Sequence, residues 1–339
     1  MSCDIIIPIW NHLKFTKECV ESIIKNTSYP YKLILIDNGS DRRTWAYLET
    51  LNVRKEIMVI RNEENLGFVK AVNQGLKVSK APYICIMNND TIATEGWLSE
   101  MVDVAESDKF IGLLNPSSNN LGQHKGYAKI ERFAEKLKAF KGQYIEMGAC
   151  IGFSMLMKRE LYKKIGQLDE VYGSGNFDDT DYSRRAEKEG YICVRAKGAY
   201  VYHHIKTSFT KIKSYEDSFR KNQEIYNKRW GRPKRLLYVV TKGHGKLFDW
   251  IREDILKKAR GGNWVWLYFK KDEDMPQIAE HSNIKLIYLP KILFDFNCLV
   301  RIIKKKKRFD SIFVDDTKLI GKIEKYNNFH KAETMLMGG

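Results

Sequence analysis

The sequence predicts an α/β protein: a mostly parallel sheet flanked by helices, followed by a smaller C-terminal α/β unit. Three observations carry this reading. Short runs rich in β-branched residues alternate with helical patterns over roughly the first 110 residues, the signature of parallel strands joined by crossover helices. Each run stops at a polar cluster, and the sharpest stop is YICIMNND at residues 83–90, which reads as a buried central strand closed by Asn88, Asn89 and Asp90. In open α/β sheets ligands bind at the carboxyl edge of the strands, so this triplet sits where a site would be. Asn and Asp also favour turns whatever the function, which is the competing explanation.

Taken in order, residues 4–9 (DIIIPI) form the first strand, with Pro8 inside it and Trp10 just beyond. A helical pattern follows over Phe15, Cys19, Val20, Ile23 and Ile24. Residues 32–36 (KLILI) repeat the design and end on Asp37-Asn38-Gly39-Ser40, a glycine-bearing turn at the same edge. A third strand spans 57–60, and Asn65-Leu66-Gly67 breaks the chain before a helix over 68–78. Asp37, Asn65 and Asp90 therefore share one sheet edge, which turn chemistry alone explains less well.

Residues 115–145 read as a polar loop, an acceptor-side flap or a plain connection, running into a basic helical stretch over 131–141. A buried strand over 151–157 leads into a short helix ending at Ile165. The second informative stretch is GSGNFDDTDYSRRAEKEGY at 173–191, which delivers Asp178 and Asp179 to the start of a helix closed by Gly190. Asp178 as N-cap with Asp181 as its capping-box partner accounts for two of the three acids without catalysis. It leaves Asp179 and the glycines unexplained, and a helix N-terminus keeps a carboxylate ionised, as a general base must be. A strand over 199–203 ends in His203-His204, either structural or a metal ligand. A helix over 215–230 then closes at Gly231-Arg232-Pro233, marking a boundary.

Lys+Arg 58 against Asp+Glu 42 leaves a net charge of +16, which favours polyanionic partners: nucleic acid, anionic lipid or a phosphorylated substrate. Nucleic acid is disfavoured, because the basic residues are spread along the chain and not interleaved with aromatics in one module. The six cysteines show no CxxC pair, so reduced thiols in a cytoplasmic setting are expected and no cysteine zinc site. No signal peptide is expected from MSCDIIIPIW, and no run approaches the ~18 apolar residues of a membrane span. Work at a membrane would be from its surface.

DIIIPIWN, LILIDNGSD, NLGFVKAVNQG, ICIMNND, GNFDDTDYSRRAEKEGY and YVYHH, in this order over residues 1–232, resemble the family 2 glycosyltransferases, inverting enzymes of the GT-A fold. The resemblance implies a nucleotide-sugar donor, UDP- or dTDP-linked, and a glycan or lipid-linked acceptor in surface polysaccharide or glycoconjugate synthesis. Donor contacts fall to Pro8, Trp10, Asp37, Asn65, Gly67, Asn73, Asn88 and Asn89, with Asp37 on the base. Asp90 matches the last residue of the DxD motif that holds Mn2+ or Mg2+, and Asn88 replaces its first acid. His203 is similar to an additional metal ligand, with His204 the lesser choice. Asp178 and Asp179 stand where the family has Glu-Asp; either could be the base, and Asp179 is preferred. A non-catalytic nucleotide-sugar- or glycan-binding relative is the alternative.

Outside the resemblance, residues 233–330 are expected to form a small α/β unit with strands at 236–240, 264–269, 284–289 and 311–314, its role a packing or partner domain or the remnant of a second nucleotide-sugar-binding unit. The loop TKGHGK at 241–246 lacks P-loop spacing. Lys304, Lys305, Lys306, Lys307 and Arg308 follow an apolar helical run, either a solvated helix end or a dock for an anionic membrane surface. Residues 331–339 are expected to be a flexible tail.

Overall fold

The computed structural model describes the chain except residues 124–128, 205–212, 243–244, 272–277 and 338–339. It divides into two units, Met1–Ile145 with Ala149–Gly231, and Glu146–Gly148 with Arg232–Gly339.

The first unit opens with β1 (Cys3–Ile9), α1 (Leu13–Asn26), β2 (Tyr31–Asn38), α2 (Arg42–Leu51), β3 (Ile57–Asn62), α3 (Phe68–Val78) and β4 (Tyr83–Met87). It continues through β5 (Thr91–Ala93), α4 (Trp97–Ser107), β6 (Ile111–Ser117), α5 (Ile130–Leu137), β7 (Tyr144–Met147), β8 (Ser154–Lys158), α6 (Arg159–Ile165), α7 (Asp178–Lys188), β9 (Ile192–His203) and α8 (Lys213–Trp230). The sheet path is β3-β2-β1-β4-β8-β6-β9-β5. β3, β2, β1 and β4 are parallel, while β8 runs antiparallel to both β4 and β6. Ile5, Ile6, Ile7 and Ile9 have no exposed surface, the continuous apolar reading expected of a strand covered on both faces.

The order places a topological switch between β1 and β4, since β2 and β3 lie on one side of β1 and β4 on the other. β1 stays in register with β2 to Ile9 and Asp37 but leaves β4 after Ile6 and Ile86. Pro8, which has no N–H to give a ladder, lies beyond that parting. A crevice therefore opens between the carboxyl ends of β1 and β4, where such folds hold ligands.

Two expectations are corrected here. Residues 115–117, expected to open the loop over 115–145, are the end of a strand over 111–117, and Asn115 within it is fully buried. Its amide closes on backbone: Nδ2 donates to the Ile151 and Ser154 carbonyls at 2.8 and 2.7 Å, and Oδ1 accepts the Ile151 N–H at 2.8 Å. A polar residue reads as loop until its partners are known. The capping box also fails: Phe177 is the N-cap of α7, Asp178 is its first residue, and Asp181 is committed elsewhere, as described below.

The second unit contains β10 (Arg235–Val240), α9 (Lys246–Arg260), β11 (Trp264–Lys270), β12 (Ile284–Leu289), α10 (Phe294–Ile303), β13 (Ser311–Val314), α11 (Thr317–Glu324), α12 (Asn327–His330) and β14 (Glu333–Leu336). Its sheet, β12-β11-β10-β13-β14, is wholly parallel. α9 covers one face with Phe248, Ile251, Ile255 and Ala259, and α10 with α11 covers the other. The expected flexible tail is instead β14, paired with β13 and followed by buried Met337. The last two residues of that tail, and Gly243 and His244 of the TKGHGK loop, lie outside the described residues.

Candidate active site

The crevice is built by loops stapled to one another. Beyond β1, Asn11 and His12 both adopt left-handed backbone, with φ of 60° and 57°. That conformation turns Asn11 toward the loop after β2: its N–H donates to Ser40 Oγ at 2.9 Å and its Oδ1 accepts the Asp41 N–H at 2.7 Å. Asp37 is fully buried; its Oδ1 accepts the Ser40 N–H at 3.1 Å, and Oδ2 pairs with Arg61, whose guanidinium lies 4.5 Å from the Trp45 ring centre. Asn38 Nδ2 donates to Asn65 Oδ1 at 2.8 Å, and Asn65 Oδ1 also accepts the Gly67 N–H at 2.9 Å. Gly39 has φ +72°, and a Cβ there would meet the Glu64 backbone at 2.6 Å, so only glycine lets the two loops approach this closely.

Gly67, the N-cap of α3 with φ +86°, lets the 173–176 loop approach in the same way. A Cβ on it would lie 3.1 Å from the Gly173 carbonyl, which accepts the Val69 N–H at 3.1 Å. Asn73 is buried and points elsewhere: Nδ2 donates to the Leu168 carbonyl at 3.0 Å and Oδ1 accepts the Leu168 N–H at 3.1 Å. Its amide organises the 168–170 turn. Trp10, by contrast, is 47% exposed at the mouth of the crevice.

At the end of β4, strand register brings the third element in. β5 pairs antiparallel with β9 so that Thr91 faces His203, and Asp90, one residue earlier, comes alongside the imidazole. Asp90 Oδ1 and His203 Nε2 are 3.1 Å apart, and Asn88 Nδ2 is 3.4 Å from the same nitrogen. Asn89 turns away and donates to Thr16 Oγ1 at 2.9 Å. His204 instead lies 3.2 Å from Glu18 and 4.9 Å from the Phe15 ring. Burial lowers the affinity of His204 for a proton. Among the described residues no group of three or more His, Cys, Asp or Glu side chains is arranged to hold a metal ion. The Asp90 and His203 pair offers one carboxylate oxygen and one imidazole nitrogen. That donor set fits a divalent cation completing its shell with phosphate oxygens and water.

The acid pair sits at the start of α7. Residues 176 and 177 are left-handed, φ 70° and 69°, and for Phe177 this is a strained conformation maintained from outside. α8 supplies the restraint: Asn222 Nδ2 donates to the Tyr172 and Gly175 carbonyls at 3.0 and 2.9 Å, and the Phe177 ring packs on Phe219 and Tyr226. Asp179 accepts the Gly152 N–H at 2.9 Å through Oδ2, and the Thr180 N–H and hydroxyl at 2.6 and 3.1 Å through Oδ1. Burial raises the proton affinity of Asp179 while those donors oppose the rise. Asp178, almost fully buried, is pushed up to about 8, first by burial and then by the adjacent Asp179. Asp178 therefore holds its proton more tightly than an ordinary carboxylate, while Asp179 is met by three donors that favour its charged form.

The tighter hold has a stability consequence. Asp178 stays protonated in the folded chain after the unfolded chain has released its proton. Its contribution is therefore fully present below the ordinary carboxylate range and is lost as pH rises from there through about 8. Asp178→Asn is expected to flatten that decline when urea midpoints are measured from about pH 3 to about pH 9, limits that lie roughly one unit outside the window. An unchanged slope would mean the proton is held by another group.

Asp181 is structural. Fully buried, it accepts from Arg185 Nε at 3.0 Å, Arg229 Nη1 at 2.7 Å and Trp230 Nε1 at 2.8 Å. Asp181→Ala is expected to cost about 2–3 kcal/mol in chemical denaturation, below the full penalty of a broken buried pair because Arg229 retains access to water. A loss under about 0.5 kcal/mol would show that this network does not anchor α8 to α7.

One segment joins the acid pair to Asp90. In residues 150–153, Gly152 N–H binds Asp179, the Phe153 carbonyl accepts the Asn88 N–H at 2.9 Å, and the Phe153 ring stacks on His203 at 5.6 Å. Asn115 holds this segment from below. Asn115, Gly152 and Phe153 were not singled out in the sequence, where nothing about an NPSS or CIGF string signals such a role; Asn222 was equally silent.

Residues 4–166 match the family model described as glycosyl transferase family 2. An uncharacterized protein, y4gI, of Sinorhizobium fredii is 26% identical over 261 residues, covering 67% of this chain and 27% of that protein. The glycosyltransferase GlyG of Streptococcus pneumoniae is 30% identical over 112 residues, covering 32% of this chain and 37% of GlyG. The chain thus spans about a third of the length of these relatives. Among solved structures, GalNAc-T7 with UDP, GalNAc and Mn2+ superposes with a TM-score of 0.52 at 15% identity, covering 66% of this chain and 48% of that one.

Proposed function

We propose, from the match of residues 4–166 to glycosyl transferase family 2 and from the GT-A fold, that the chain is an inverting, metal-dependent glycosyltransferase. Its donor would be a UDP- or dTDP-sugar, and its acceptor a hydroxyl on a glycan or lipid-linked glycan in surface polysaccharide or glycoconjugate synthesis. The observation that carries the reading is the 150–153 segment, which ties the half-buried Asp179 to the Asp90 and His203 pair.

Asp179 accepts the proton of the acceptor hydroxyl as that oxygen attacks the anomeric carbon on the face opposite the leaving diphosphate. Its raised proton affinity brings it closer to working pH than an ordinary carboxylate, which favours base catalysis. A single base without a covalent intermediate inverts the anomeric centre. Asp90 and His203 would hold Mn2+ or Mg2+, which when bound offsets the charge gathering on the diphosphate. Asp37 serves the nucleotide end indirectly: with both oxygens occupied, it fixes Ser40 and Arg61, and the partly exposed Arg61 is the group a base or ribose would meet. Anionic membrane attachment through residues 304–308, at the inner face of the membrane, belongs to the same reading.

A second reading is favoured by Asn88, which leaves the cation one carboxylate fewer: a relative that binds nucleotide sugars or glycans without transfer. A panel of nucleotide sugars with Mn2+, Mg2+ or EDTA separates the two. Metal-dependent binding of one donor with slow hydrolysis supports the transferase; binding unaffected by EDTA and without turnover supports the binding relative; no binding at all removes both.

A further inference from the structure

We propose that α10 and the basic run after it form a surface that docks onto a bilayer containing anionic phospholipid. A helix at the rim of a sheet needs one apolar face, and α10 has it: Phe294, Cys298 and Ile302 are buried in the core. A second apolar set stands on its outer side and in the turn before it. Ile292 is 81% exposed, Leu293 67%, Phe296 61% and Ile303 37%. On a helical projection Phe296 and Ile303 fall about 160° and 140° from Cys298, and Ile292 and Leu293 stand in the turn that leads into the helix. Packing within this unit leaves them in solvent, and such a face marks a contact with something apolar.

The charge beside that face says what covers it. Lys304, Lys306, Lys307 and Arg308 are exposed, and none has an acidic partner among the described residues; the same holds for Arg301. The acids close in sequence are already engaged: Asp295 pairs with Lys322 at 2.6 Å and Asp310 with Arg232 at 2.6 Å. Lys305 folds back over the Trp266 ring at 4.6 Å, beside Arg235 at 4.4 Å and Lys285 at 5.7 Å from the same ring. Burial and the neighbouring Arg235, Lys285 and Arg301 depress the proton affinity of Lys305, as expected where like charges gather without a counter-ion. An apolar strip flanked by unneutralised cations complements the interface of an anionic bilayer, where acyl chains lie beneath negative headgroups. Nucleic acid would use the cations but leave the strip in water; a neutral protein surface would use the strip but leave the cations unpaired.

This inference rests on the proposed attachment of residues 304–308 and adds the apolar strip to it; its test reads membrane binding alone, so loss of transfer activity leaves it standing. The full chain is sedimented with vesicles of phosphatidylcholine and with vesicles containing about one-third phosphatidylglycerol. At least tenfold tighter binding to the anionic vesicles is expected, falling tenfold or more in Lys304→Glu/Lys307→Glu, and separately in Ile292→Ser/Phe296→Ser. All four substituted side chains are exposed, and unchanged thermal melting confirms that the variants fold. Binding lost only in the charge variant would reduce the surface to a basic patch and overturn the proposal. Equal binding to both vesicle types would overturn it as well, as would dimerisation of the wild-type chain abolished by Ile292→Ser/Phe296→Ser, which would assign the strip to a second copy.

Discussion

Asp179→Asn is expected to lower transfer by roughly 10²–10⁴-fold, the contribution of a positioned general base, while donor affinity stays close to wild type. The change is isosteric, so the Thr180 N–H and hydroxyl retain an acceptor on Oδ1. Only the bond to the Gly152 N–H is weakened, because an amide nitrogen offers it no lone pair. Asp178→Asn is the control. It sits beside Asp179 and is more deeply buried, yet it already keeps its proton at neutral pH, so its amide should preserve much of the turnover. The comparison separates base from bystander. Single-turnover rates with matched donor titrations supply the readout, and near-native turnover in Asp179→Asn with loss in Asp178→Asn would reverse the two roles. The pH profile adds a second check: activity should rise with pH through a value above the usual carboxylate range, since burial raises Asp179.

Asp90→Ala should remove both donor binding and transfer. Losing a partner that merely orients a metal ligand weakens affinity about 10–100-fold, and losing a carboxylate ligand should exceed that. Here the effect is sharpened by Asn88, since Asp90 is the sole acid of the NND triplet. Calorimetric titration of the donor should show binding that depends on Mn2+ in the wild type and is the same with Mn2+ or EDTA in the variant. His203→Ala should weaken Mn2+-dependent binding without abolishing it. If Asp90→Ala bound donor with undiminished dependence on Mn2+, the cation would have to be held elsewhere and the crevice reading would fail.

Much of this architecture was legible because it rests on local pattern. The runs at β1, β2, β3 and β4 are apolar on both faces, which is how a covered parallel strand must read, and their polar stops mark the carboxyl edge. Glycines 39 and 67 sit in strings that already looked like turns, and the structure gives each a left-handed backbone and a close neighbour. The strands of the second unit were equally visible. Hidden from the sequence were positions whose meaning depends on a distant partner. Asn115 looks like a loop residue until its amide is seen closing on Ile151 and Ser154, and the expected tail looks frayed until β13 offers it an edge.

The site divides along the same line. By itself the sequence determined the residue types and their order: acids and amides at strand ends, an Asp pair after a flexible glycine loop, histidines closing a late strand. Each follows from chemistry within a few residues. Tertiary structure alone decided which of them meet. The antiparallel register of β5 on β9 brings His203 to Asp90 across more than a hundred residues of chain, and Gly152 selects Asp179 as the acid that faces the segment beneath the crevice. It also closed Asn73 on the Leu168 backbone and surrounded Asp181 with cations. Proton affinity, too, was decided there. Asp178 and Asp179 are identical side chains one residue apart, and they differ because one is buried without enough donors and the other is met by three.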